Sequence, residues 1–335
     1  MTSLPVTETG YSGFENQKNL NESSPICLEI NCIFYAVVNS LIFILGIAGN
    51  GLVIWIAGFK MKKSVISTWY LSLAVSDFIF CCTLPFGVIH KVQKDWIFGL
   101  FMCKFRYFIK FINMYSSIFI FAIISVDRCV VVMFPVWAQN QRTVKKAFLT
   151  VLLVWIISTV LSMPLAIFRD IEKKKEAKRC FNNYINDQSR IASVACRAVF
   201  GFVIPLYIII TSYAIIMRKL KFNQMAKKSK KPFKIMTVLI VTFFICWMPF
   251  HTFTILHIKY RQSHFVKIGK TFGITLANAN SCINPFLYAF MGKDFKKQCY
   301  AVLSKIENAI EEESQYRVQG KPVTMSGESY LSVTV

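Results

Sequence analysis

The sequence predicts an all-α membrane protein, a seven-transmembrane helix bundle with a short amphipathic eighth helix and its N-terminus outside. Three observations carry that prediction. Of 335 residues, 55% are hydrophobic and only 17% charged, with a positive mean hydropathy, where a soluble chain carries roughly a quarter charged residues. Seven apolar runs reach the roughly 20 residues that a helix needs to cross hydrocarbon. Lysines and arginines collect at alternate ends of those runs.

Residues 1–32 form a polar outer segment with no apolar core of a cleavable signal, so the first span is expected to act as an uncleaved anchor. Asn21-Glu22-Ser23 is a glycosylation sequon on that segment. The bundle occupies 33–291, with spans near 33–59, 66–91, 100–133, 145–168, 191–220, 233–258 and 266–291. Hydrocarbon offers the backbone no partner, so each run must be helical. Pro85, Pro164, Pro205, Pro249 and Pro285 fall inside five of the spans and are expected to kink them. Lys60/Lys62/Lys63, Arg142/Lys145/Lys146 and the run from Arg218 to Lys234 share one side with Lys293, Lys296 and Lys297. That side is the cytoplasm, where the basic residues meet anionic lipid. Residues 292–304 should lie along the inner leaflet as the amphipathic helix, with Cys299 a candidate palmitoylation site. Residues 305–335 turn polar and are expected to be a disordered tail, with Ser326, Ser329 and Ser332 as phosphorylation candidates.

The net charge of +22 borders membrane spans instead of forming one soluble face, which excludes nucleic acid as the partner. His90, His251, His257 and His264 form no nucleophile-base or metal-spaced set, so nothing supports an enzyme or a cofactor. An odd span count without inverted repeats disfavours a transporter. Of the eleven cysteines, Cys81, Cys82, Cys129, Cys246 and Cys282 lie in spans as small apolar packers. Cys103 and Cys180 face an oxidising compartment and are able to pin the second outer loop over the bundle. Cys27, Cys32 and Cys196 are further outer-side thiols whose disulfide pairing the sequence leaves open.

Ionisable groups inside the spans are the functional candidates. Asp77 is mid-membrane, and Asp127-Arg128 sits where the third span meets the cytoplasm. Arg106, Lys110, Asn113 and Ser117 follow one helical stripe, and Arg197 lies about two turns above Pro205. Cations at that depth cost a few kcal/mol unless paired, and no acid occupies the neighbouring outer half-helices. Snorkelling to the interface is the alternative, chiefly for Arg106.

Gly49-Asn50, Leu73-Ala-Val-Ser-Asp77, Asp127-Arg128, Trp155, Pro205, Tyr213, Cys246-Trp247-Met-Pro249 and Asn284-Pro-Phe-Leu-Tyr288 occur in order, each on its own span. With them the chain resembles the rhodopsin-like G-protein-coupled receptors over roughly residues 30–300. DRC at 127–129, FPVWAQNQRT at 134–143 and Trp96-Ile-Phe98-Gly99 are similar to the chemoattractant receptors of formyl peptide, complement anaphylatoxin, chemerin and prostaglandin D2 type. CFNN (180–183), KKPFKI (230–235), TFFICW (242–247), ANSCINP (279–285) and FMGKDFKK (290–297) lean toward the chemerin (chemokine-like) type.

The resemblance implies a plasma-membrane, multi-pass receptor that admits a G protein, of inhibitory type, when the sixth span swings outward. Asp127 would hold Arg128 at rest, with Tyr213 and Tyr288 reorganising around it and Phe243, Trp247, Pro249, Asn284 and Pro285 transmitting the change. An acidic clamp usual at the inner end of the sixth span is missing here, where Lys227-Lys228-Ser229-Lys230-Lys231 stands instead. Asp77, Asn113, Ser117, Asn280 and Asn284 would surround an allosteric sodium ion. Asn278 stands where opsins carry their lysine, and Lys110 where amine receptors carry an aspartate. The candidate ligand contacts are therefore Arg106, Lys110, Asn113, Arg197, Phe250 and Lys270. They suit an anionic peptide or protein terminus in leukocyte chemotaxis and inflammation. Arrestin is expected on the tail. A carboxylate lipid mediator as agonist, or a decoy receptor without G-protein signalling, are the alternatives.

Overall fold

The computed structural model describes residues 30–174, 177–222 and 230–291, with isolated positions at 297, 300, 301, 304 and 308. Asn21, Cys27, Cys299, Ser326, Ser329, Ser332, the side chain of Tyr288 and most of segments 1–32 and 292–304 lie outside the described residues.

The first span is α1 (Ile30–Trp55), running into a π-helical turn at Ile56–Lys60. The second is split into α2 (Val65–Cys82) and α3 (Leu84–Gln93). Pro85 has no N–H, so a continuous helix would strand a carbonyl there. Instead Thr83 closes the joint, donating its N–H and its hydroxyl to the Phe80 carbonyl at 2.9 and 2.7 Å. The third span is α4 (Gly99–Met133), 35 residues long and central to the bundle. A short helix α5 (Pro135–Gln141) forms the second inner loop, and α6 (Val144–Ile167) is the fourth span.

The second outer loop is a hairpin, β1 (Arg169–Lys174) paired antiparallel with β2 (Ala177–Asn182), with Ile171 opposite Cys180. Its mixed Lys and Glu residues show no strand alternation in the sequence, and tertiary ties hold it instead. Cys103 and Cys180 form a disulfide, Trp96 donates its N–H to the Lys178 carbonyl at 2.9 Å, and Lys178 donates its N–H to Asp95 at 2.6 Å. The fifth span begins with α7 (Asp187–Ala198), whose N-terminus is capped by Asn186. A π-helical turn at Val199–Val203 leads into α8 (Ile204–Phe222), absorbing the register change that Pro205 imposes. The sixth and seventh spans are α9 (Lys230–Lys259) and α10 (His264–Met291).

The six spans up to α9 are long and apolar enough, among the described residues, to cross a membrane on those grounds alone. Helix α10 is more polar because Asn278, Asn280 and Asn284 are buried against the other helices. Asn278 donates to Asn39 Oδ1 at 2.7 Å, and Asn50 donates to the Ser281 carbonyl at 2.8 Å, joining the first span to the seventh. Leu41, Ile44, Leu149, Leu153, Ile156 and Val160 stay exposed, the expected lipid-facing side.

Spans six and seven meet backbone to backbone at Gly273. A Cβ placed there would lie 2.8 Å from Phe250 N and 2.9 Å from both Phe250 Cα and Pro249 C, none of which can yield as a side chain would. Gly273→Ala should therefore lower the melting temperature of purified receptor by several degrees, since overpacking costs about 1–3 kcal/mol. An unchanged melting curve would mean that the two helices separate freely at this point.

Candidate functional site

The functional groups fall at three depths. In the outer half, a cavity of about 820 Å³ opens between spans two, three, five, six and seven beneath the hairpin. Arg106, Lys110, Arg197, Phe250 and Lys270 all line it. Lys110 is 7% exposed and Arg197 6%. Neither head reaches lipid, and among the described residues neither meets a carboxylate. They rest on aromatic rings: Lys110 Nζ is 5.0 Å from the Phe250 centroid, and Arg197 Cζ is 5.2 Å from those of both Phe111 and Phe250. Such contacts return about 0.5–2 kcal/mol, less than burying a cation costs. Among the described residues the buried Arg197 Nε–H has no acceptor, and the neighbouring His251 Nε2 has no partner.

Arg106 donates to the Tyr35 hydroxyl at 3.4 Å and lies 5.5 Å from the Tyr107 centroid. In the sequence Arg169 reads as one more charge in a basic loop. As the first residue of β1 it folds inward instead, its Cζ 3.1 Å from the Tyr107 centroid and its Nε buried without a partner. Burial pulls the Arg169 guanidinium below the usual arginine range, with the Tyr107 phenol opposing. Its signal in the sequence was position alone: it is the first charge after the fourth apolar run. Asn113 does not line this cavity. Its amide faces the second span, one layer deeper.

In that middle layer Asp77 is fully buried. Its Oδ1 accepts from Asn113 Nδ2 at 2.7 Å and its Oδ2 from Asn284 Nδ2 at 2.9 Å. Ser281, absent from the sequence-based set, donates its hydroxyl to Asn113 Oδ1 at 3.3 Å. Among the described residues Ser117 Oγ and Asn284 Oδ1 are buried oxygens with no partner, whereas Asn280 leaves its amide nitrogen unpartnered. Buried oxygens lacking donors are unusual and call for a cation or water. Next to this layer Phe243 stacks on Trp247 with centroids 5.9 Å apart and meets Phe121 edge-on at 5.7 Å, on the helix that carries Pro249.

At the inner end, Asp127 Oδ2 accepts from Arg128 Nη2 at 2.6 Å and Nε at 3.1 Å. Its second oxygen, Oδ1, accepts from Arg142 Nε at 2.8 Å. Arg142 reads from the sequence as one of the loop cations that set orientation. Helix α5 turns it back across 15 residues onto the carboxylate, so Asp127 meets a second arginine. The Tyr213 hydroxyl accepts from Thr237 at 3.2 Å, tying spans five and six near the same level. Pro285 packs against Gly49, and Tyr288 continues α10.

Residues 49–288 match the family model of the 7 transmembrane receptor (rhodopsin family). The chain is 40% identical over 318 residues to chemerin-like receptor 1 of Rattus norvegicus, covering 88% of this chain and 85% of that one. It is 37% identical over 346 residues to the C3a anaphylatoxin chemotactic receptor of Oncorhynchus mykiss, covering 98% and 92%. It is 35% identical over 330 residues to formyl peptide receptor-related sequence 1 of Mus musculus, covering 92% and 93%. These are non-enzymatic, multi-pass receptors of the plasma membrane that couple an outside ligand to a G protein. The family match and the three layers agree: the chain belongs to the rhodopsin family, as a G-protein-coupled receptor of the chemerin-like chemoattractant type.

Proposed function

We propose that this receptor takes the anionic C-terminal end of a chemoattractant peptide or protein into the outer cavity. It then activates an inhibitory heterotrimeric G protein in leukocyte chemotaxis and inflammation, and arrestin is recruited to the tail. One observation carries the ligand chemistry: Lys110 and Arg197 are buried in the cavity, and among the described residues no carboxylate neutralises them. A ligand carboxylate would supply the missing charge and the acceptor that Arg197 Nε lacks. A lipid carboxylate is the second reading, favoured by the apolar wall of Phe111, Phe250 and Ile274. One cyclic-AMP assay of chemerin-derived C-terminal peptides, formyl peptides, a complement C3a C-terminal peptide and prostaglandin D2 separates these readings. The proposal expects the active peptide to lose potency when its C-terminus is amidated. Activity confined to prostaglandin D2 would favour the lipid reading.

Sodium is proposed as an allosteric ligand of the middle layer, where Asp77 supplies the charge and Ser117 and Asn284 carry unpartnered oxygens. Asn113 and Asn280 complete the set. Bound there, it would favour the resting state. Replacing sodium by a bulky organic cation at constant ionic strength should lower the melting temperature of the wild type. It should leave Asp77→Asn unmoved, because the variant has no charge to hold the ion. Equal sodium dependence in both would place the ion elsewhere.

A further inference from the structure

The cavity holds more positive charge than one carboxylate can answer. Among the described residues, eight lysines and arginines line it against a single acid, Asp187. That acid pairs with Arg190 at 3.1 Å and its side chain is 83% exposed, so it belongs to the rim and not to the interior. Beside Lys270, four of the interior cations are sorted in pairs on two rings. Arg106 and Arg169 lie over Tyr107, and Lys110 and Arg197 lie over Phe250. Each pair contains one guanidinium Nε–H that is buried without an acceptor, Arg169 in the outer pair and Arg197 in the inner. Two missing acceptors in two places are not met by one small anion.

Helix α4 sets the spacing. Arg106 and Tyr107 stand one turn above Lys110 and Phe111, a rise of about 6 Å for four residues. We infer that the inserted end of the ligand carries two anionic groups about one helical turn apart, one for the Tyr107 station and one for the Phe250 station. This rests on the anionic-ligand reading above and adds to it the number and spacing of the charges. In a peptide the terminal carboxylate would occupy the inner station. An acidic side chain two residues earlier would reach the outer one, since alternate side chains of an extended chain share a face and lie about 6–7 Å apart. Like cations left unanswered at one station would repel each other at close range in a partly desolvated site, which is the penalty a second anion removes.

The test uses adipate, whose two carboxylates are separated by about that distance, against its monomethyl ester, of equal length with one charge. Each is titrated into purified full-length receptor at constant ionic strength, and apparent affinity is read from the shift in melting temperature. Adipate should bind at least about tenfold tighter than the ester, the factor that one charged hydrogen bond supplies. That advantage should vanish in Arg169→Gln and in Arg197→Gln, each tested alone. If ester and diacid shift the wild type equally, the second station is wrong while the anionic-ligand reading stands. If neither shifts it, both fail. If the diacid's advantage survives in both variants, the second anion binds elsewhere and the assignment of stations is overturned.

Discussion

Replacing Arg197 with methionine should lower agonist potency by about 100- to 1,000-fold while leaving the empty receptor as stable as the wild type or more stable. The two effects have one cause. Arg197 is 6% exposed, rests on Phe111 and Phe250, and among the described residues has no carboxylate partner. In the empty receptor its charge is a cost of a few kcal/mol, which an apolar side chain of similar length removes. In the proposed complex the same charge would meet the ligand's carboxylate, and truncating one partner of such a buried pair costs about 2–5 kcal/mol, or about 30- to 5,000-fold in affinity. Lys110→Met should move both quantities in the same directions. A melting curve of the purified variant and a cyclic-AMP dose response decide the matter. Lost stability together with lost potency would make Arg197 a structural residue.

The second large effect belongs to the inner end. Asp127→Asn should raise ligand-independent nucleotide exchange by roughly tenfold, because charged hydrogen bonds are worth about 1.5–3 kcal/mol each and 1.4 kcal/mol is tenfold in a two-state equilibrium. Asp127 holds Arg128 through one oxygen and Arg142 through the other, and the variant weakens both contacts at once. Arg142→Ala should raise exchange by a smaller factor, since the Arg128 contact survives. The sixth span offers no acid at its inner end to take over. Unchanged basal exchange in Asp127→Asn would show that packing alone keeps the resting state.

Much of this was legible in the sequence because hydrocarbon leaves the chain few choices. Apolar runs must be helical, so the seven spans could be placed to within a few residues, and the alternation of Lys and Arg gave their direction. The in-span ionisable groups stood out for the same reason: at Asp77, Lys110, Asp127, Arg128 and Arg197 a charge is expensive and needs a purpose. What was not legible depended on how loops fold back. Arg169 and Arg142 each sit in a charged loop where solvation is the ordinary fate of an arginine. Only the hairpin over the cavity and the turn of α5 bring them to Tyr107 and Asp127. The hairpin carries no alternating pattern because the disulfide and the contacts to Asp95 and Trp96 hold it, not a buried face. Asn113 shares the helical stripe of Lys110, and periodicity cannot say that its amide turns to Asp77 below the cavity floor. Ser281 was hidden among neighbours, Asn280 and Asn284, that are more conspicuously polar.

The central claim is that a ligand carboxylate meets the unpaired cations of the outer cavity. It is tested most directly by a two-by-two measurement of one peptide agonist, as free acid and as C-terminal amide, on the wild type and on Arg197→Met. If the carboxylate and the guanidinium touch, amidation should cost the wild type at least about 30-fold in affinity and the variant almost nothing, a coupling of about 2 kcal/mol or more. Equal losses on both receptors would mean that the two groups never meet.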